Sequence, residues 1–127
     1  MRPAFLEHLN MTVADPEATA RMLIDVFGWH ERWRGASKGG GTSIHVGAEE
    51  TYIAIYTHAD MAEPEGESYH LNGGLNHVAL VVDDLDAIEA KVLARGLETH
   101  SHADYEPGRR FYFDDPNGVE FEVVSYA

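Results

Sequence analysis

The sequence predicts an α+β fold made of two β-α-β-β-β modules, and three observations point to it. First, a motif recurs 69 residues on: Leu6-Glu-His-Leu-Asn-Met-Thr-Val13 returns as Leu75-Asn-His-Val-Ala-Leu-Val-Val82, setting His8 on His77 and Asp15 on Asp84. Second, both runs alternate as strands do, with Leu9, Met11 and Val13 on one face and His8 and Asn10 on the other. In the second run Val78, Leu80 and Val82 oppose His77, Ala79 and Val81. Third, each run is followed by an Asp and an Ala-rich stretch with helical spacing.

The first strand covers about 5–13. Asp15-Pro16 opens a helix, because Asp caps free N–H groups and Pro at the first turn has none to waste. Ala18, Met22, Leu23 and Val26 face the sheet, and Gly28 supplies a left-handed stop. Strands follow at 29–34, 42–46 and 51–58, with the Ala36–Gly41 turn between the first two. Residues 59–74 hold Pro, Gly and acidic clusters without periodicity and form a linker. The order then repeats: a strand at 75–82, a helix from about 85 to 95 capped by Asp84 and stopped at Gly96, and strands near 97–102, 109–114 and 119–125. Asp115-Pro-Asn-Gly118 makes the last tight turn. The chain is expected to be one domain over 1–127, with module 1 at about 4–58 and module 2 at about 75–126. Neither half buries its sheet alone, so the modules are expected to pair within the chain or across a homodimer.

With 22 acidic and 9 basic residues the formal charge is −13. Such a surface repels phosphate backbones and anionic lipid, so nucleic-acid and membrane partners are not expected, whereas cations are favoured. No apolar run approaches membrane-spanning length and no signal peptide is visible, so a cytoplasmic location is expected. There is no cysteine, so any metal is held by His, carboxylate or other oxygen ligands.

In the last strand Val119, Phe121 and Val123 alternate with Glu120, Glu122 and Val124. If the apolar set packs under the helices, Glu122 shares the open face with His8 and His77. Two imidazoles and a carboxylate form an open-sided metal-ligand set, although an inward His on a sheet is more often a hydrogen-bonded wall residue.

These residues carry a resemblance. Glu7-His8-Leu9, Asn76-His77-Val78-Ala79-Leu80-Val81 and Arg110-Phe-Tyr-Phe-Asp-Asp-Pro-Asn-Gly-Val-Glu-Phe-Glu122 resemble the motifs of the vicinal oxygen chelate superfamily. That family comprises glyoxalases, extradiol dioxygenases, fosfomycin-resistance enzymes and bleomycin-resistance proteins. The resemblance implies a curved mixed sheet around a cavity, with His8, His77 and Glu122 binding a divalent ion (Fe, Mn, Ni, Co or Zn). Ala54 stands where glyoxalase I-type isomerases carry a fourth ligand, which argues against a lactoylglutathione lyase. Tyr112 matches a substrate-positioning Tyr, and His58 lies near the acid–base His of extradiol dioxygenases. The implied activity is that of a metal-dependent dioxygenase or lyase/isomerase chelating a small oxygenated substrate. The alternative is a non-enzymatic binder of the bleomycin-resistance type, which takes a flat ligand against cavity aromatics. Arg109 and Arg110 are expected at the surface, His30, His45 and His70 at the surface or cavity wall, and Trp29 and Trp33 in core or dimer packing.

Overall fold

The computed structural model describes residues 1–127. They fall into two compact units, Met1–Met61 and Ala62–Ala127, so most of the expected linker belongs to the second unit. The first unit runs β1 (His8–Thr12), α1 (Pro16–Phe27), β2 (His30–Ala36), β3 (Thr42–Gly47) and β4 (Tyr52–Tyr56). The second opens with a 3-10 turn at Ser68–His70 and continues β5 (Val78–Val81), α2 (Leu85–Ala94), β6 (Thr99–Tyr105), β7 (Gly108–Asp114) and β8 (Glu120–Ser125). The expected β-α-β-β-β order therefore holds in both. The strands at 5–13 and 75–82 are shorter than their alternating runs, since only His8–Thr12 and Val78–Val81 find a ladder.

Each unit folds its strands into one mixed sheet, in the order β1-β4-β3-β2 and β5-β8-β7-β6. The first strand of each module pairs in parallel with the last, and the remaining pairs are antiparallel. The helices start where the caps dictate: Asp15 Oδ1 accepts from the Ala18 N–H at 3.2 Å, and Asp84 Oδ1 from the Ala87 N–H at 3.0 Å. Gly28 ends α1 at φ 72°, a conformation that costs a side-chain-bearing residue strain.

One face of each sheet is sealed by its helix. In the first unit Met22, Leu23 and Val26 of α1 are buried, as are Ile44, Val46, Ile53 and Ile55 of the strands. In the second, Leu85 and Val92 are the buried residues of α2, and Phe111, Phe113, Phe121 and Val123 are fully buried. Burial of each of those phenyl groups contributes roughly 2–3 kcal/mol. This fixes strand parity: the residues between them, including Tyr112, Glu120 and Glu122, must face the other way. No helix is long and apolar enough to cross a membrane.

Candidate functional site

On the open face of the second sheet, Glu122 stands opposite Tyr112 across the β7–β8 ladder and opposite Ala79 across β5–β8. His77 precedes β5 with the parity of Ala79, and so reaches the same face. The sequence-predicted pair meets: His77 Nε2 lies 3.1 Å from Glu122 Oε1. Glu122 is 7% exposed and fully engaged. The Tyr112 hydroxyl donates to Oε1 at 3.1 Å and Arg110 Nη1 donates to Oε2 at 2.9 Å. Burial, and then the bond to Glu122, push the Tyr112 phenol above its usual range, so it remains a donor.

Two further residues complete the cluster. The Tyr69 hydroxyl donates to Glu120 Oε1 at 2.9 Å and lies 3.1 Å from His77 Nδ1. The bond to Glu120, with burial adding to it, raises the Tyr69 phenol. The proton inventory is then constrained. Tyr69 has one proton and gives it to a carboxylate, so its oxygen accepts from His77 Nδ1–H. A neutral His77 consequently aims a bare Nε2 lone pair at Glu122 Oε1, which is itself an acceptor. Two acceptors at 3.1 Å repel, and the repulsion is relieved by a cation between them, either a proton or a metal ion, or by a small separation of the two atoms where neither is present. For metal–ligand bonds of about 2.1 Å meeting at roughly 90–109°, the ligand atoms lie about 3.0–3.4 Å apart. The residues present therefore fit a divalent ion at this edge, although Arg110 already compensates the far oxygen of the carboxylate.

His8 belongs to the first unit, where it is exposed. Its Nδ1 is 2.8 Å from Glu7 Oε1, which leaves Nε2 for a further partner. Its ring stacks on Tyr52 at 4.8 Å and 14°. Tyr52 stacks in turn on His45 at 4.7 Å, and His45 lies 4.9 Å from Trp33. A strip of four rings thus crosses all four strands of the open face, with the Arg32 guanidinium 4.5 Å above Tyr52. Burial, then the neighbouring His8 and Arg32, depress the His45 pKa.

Several expectations need correction. Trp33 is not a core residue: it is 51% exposed on the open face beside His45. A bulge between Glu31 and Trp33 shifts the register and turns the indole outward. Arg110 is not a surface cation, because its side chain is 16% exposed and ends on Glu122. Arg109 does face solvent, paired with Asp86 at 3.0 Å. His58 lies just past β4, where Nδ1 accepts from the Asp60 N–H at 2.9 Å and the ring lies against Gly39 so closely that no side chain fits there. Ala54 is buried in β4 beside His45 and Asn10.

Sequence reasoning missed Tyr69 and Glu120 as partners of His77, and the only signal for Glu120 was its parity with Glu122. A second set of candidate ligand atoms, from His100, Asp114 and Glu120, falls within 4.8 Å on the same sheet, in positions where exposed groups commonly gather without an ion. A cavity of about 370 Å³ opens beside the cluster, lined in part by Tyr69, Tyr105, Arg110, Tyr112 and Glu120. A larger hollow of about 580 Å³ lies at the β6–β7 hairpin, away from His77.

No curated protein matches the chain. Among solved structures it is similar to TnmS3, an antibiotic binding protein from Streptomyces sp. CB03234, with 19% identity and a TM-score of 0.77 over 100% of this chain and 99% of that one. A glyoxylase/bleomycin resistance protein/dioxygenase domain from Frankia sp. EAN1pec gives 19% identity and a TM-score of 0.80, covering 98% of each chain. The fosfomycin resistance protein FosX from Mesorhizobium loti gives 27% identity and a TM-score of 0.68, over 98% of this chain and 93% of that one. The first two likenesses establish a shared fold. A family model matches residues 5–123, and with the duplicated architecture it shows that the chain belongs to the Glyoxalase/Bleomycin resistance protein/Dioxygenase superfamily.

Proposed function

We propose that the protein is a divalent-metal-dependent enzyme that acts on a small oxygenated substrate, with His77, Glu122 and His8 as ligands. The observation that carries this reading is the His77 Nε2–Glu122 Oε1 edge, 3.1 Å long, on a ring whose Nδ1 is held by the Tyr69 hydroxyl. His8 supports it, since its Nδ1 is likewise engaged, by Glu7, which leaves Nε2 for a further partner. Bound there, Fe, Mn, Ni, Co or Zn would supply Lewis acidity toward two vicinal substrate oxygens. Tyr112 holds Glu122 in place and keeps its proton, which suits it to orient a substrate oxygen from the cavity beside it. His58, whose Nδ1 accepts from the Asp60 N–H, would act in acid–base chemistry through Nε2 alone. The active species is proposed to be a homodimer, with sedimentation analysis as the test.

The test is metal binding by untagged protein. Wild type loaded with Co(II) or Zn(II) should retain about one ion per chain, whereas His77→Ala and Glu122→Ala should retain none and His8→Ala should bind far more weakly. If wild type holds no more metal than His77→Ala, His77 and Glu122 are an ordinary ion pair and the enzyme reading fails.

The ring strip favours a second reading, a binder of planar ligands. Three of the rings stack face to face and cover one another, which leaves the half-exposed, tilted indole of Trp33 at the end of the strip as the face for a planar ligand. Quenching of Trp fluorescence by a planar polycyclic ligand, abolished in Trp33→Ala and undiminished in His77→Ala, would favour binding without metal chemistry.

A further inference from the structure

We infer that Tyr69 and Glu120 are positioning residues that fix the tautomer of His77 and so prepare its Nε2 to bind the ion. This rests on the metal reading above and adds a relay supplied by the segment ahead of β5, which no strand pattern marks. The chain of donors runs one way. His77 Nδ1–H donates to the Tyr69 oxygen at 3.1 Å, and the Tyr69 O–H donates to Glu120 Oε1 at 2.9 Å. A carboxylate oxygen accepts, and this sets the direction of the chain. A free imidazole in water prefers to carry its proton on Nε2, which here would remove the lone pair from the Glu122 edge. The relay opposes that preference by giving the Nδ1 proton an acceptor whose own proton is already committed. Outer partners of this kind orient metal-bound imidazoles, and their loss typically costs 10–100-fold in affinity.

The relay has two anchors. The Ser68–His70 turn, closed by the Leu71 N–H to Ser68 carbonyl bond at 3.1 Å, carries the phenol. Glu120 is set by β8, where it pairs with Asp114 across the ladder. Neither depends on the ion, so the tautomer should be established in metal-free protein. Tyr69 is 58% exposed, and removing its hydroxyl opens no cavity.

The test uses the full chain with 15N-labelled histidine at about pH 8, metal-free, beside Co(II) titration calorimetry. In wild type His77 should show a protonated Nδ1 and a bare Nε2. Tyr69→Phe should move the proton to Nε2 and weaken Co(II) binding 10–100-fold with the melting temperature unchanged, and Glu120→Ala should do the same. Glu120→Gln keeps an acceptor for Tyr69 and should retain the wild-type tautomer. A Tyr69→Phe protein with the wild-type tautomer overturns the relay, even if its affinity falls, and leaves the metal reading standing. A wild type with the relay tautomer that binds no Co(II) overturns the metal reading and leaves the relay standing.

Discussion

Arg110 puts a cation 2.9 Å from the carboxylate that is proposed to bind one. With side-chain exposures of 16% and 9%, the pair is partly desolvated, and removing the guanidinium leaves Glu122 uncompensated. Arg110→Met, which keeps the stem and drops the charge, should cost the metal-free protein about 1–3 kcal/mol in urea unfolding. The same change should raise Co(II) affinity several-fold, since the ion no longer faces a competing charge. Lower or unchanged affinity in that variant would mean that Arg110 assists the site rather than competing with it. The contrast also shows what single residues reveal in sequence. His77 and Glu122 were legible because strand parity alone decides which face they take. Arg110 was not, since a long side chain at a strand start reaches inward or outward according to what lies across from it. Tyr69 was hidden in a stretch without periodicity, where proximity to His77 is a matter of three-dimensional path.

Among the elements, α2 buries little, with Leu85 and Val92 its only buried residues, and is held additionally by a polar staple. Glu89 accepts from the Thr99 hydroxyl and meets His102 Nε2 at 2.6 Å, tying the helix to β6. Burial alone would raise Glu89, but those two bonds outweigh it and hold the carboxyl below its usual value. A depressed carboxyl contributes stability that is present above the unfolded pKa, near 4.5, and is lost as pH falls through the folded one. Glu89→Gln should therefore cost on the order of 1 kcal/mol at pH 7. As pH falls from 4.5 through the lowered folded pKa, the wild-type and variant urea midpoints should converge. A gap that stays constant from pH 7 to pH 3 would show that the staple acts through shape rather than charge. Helix starts were readable because Asp15 and Asp84 bring their own hydrogen-bond chemistry. The bulges were not. One falls between Glu31 and Trp33, and the other between His100 and Ala103, where Ser101 takes φ 56°. At the repeat offset His100 corresponds to Glu31, so both modules kink their second strand at the same place. Period-2 reading fails past such an insertion, which is why the sequence did not place Trp33 on the open face beside His45.

Across the whole molecule, the charge of −13 acts on any cation that approaches the site. Its reach depends on salt: the screening length is about 30 Å at 10 mM ionic strength and about 8 Å at 150 mM. At low salt more distant acids therefore contribute to the potential at His77, and at physiological salt only near neighbours do. Co(II) affinity should accordingly fall by roughly 3–10-fold between 10 and 150 mM KCl. Displacement by potassium itself would give a similar trend, so a variant has to separate the two. Asp60, Glu63 and Glu65 are exposed and lie in the segment between β4 and the Ser68–His70 turn. Neutralising them together, as Asp60→Asn, Glu63→Gln and Glu65→Gln, should weaken Co(II) binding about two-fold at 10 mM and leave it unchanged at 150 mM. A triple variant indistinguishable from wild type at both salts would assign the salt effect to direct competition at the ligands. In that case the acidic surface serves solubility alone, and the affinity of the site is set by the groups that touch His77 and Glu122.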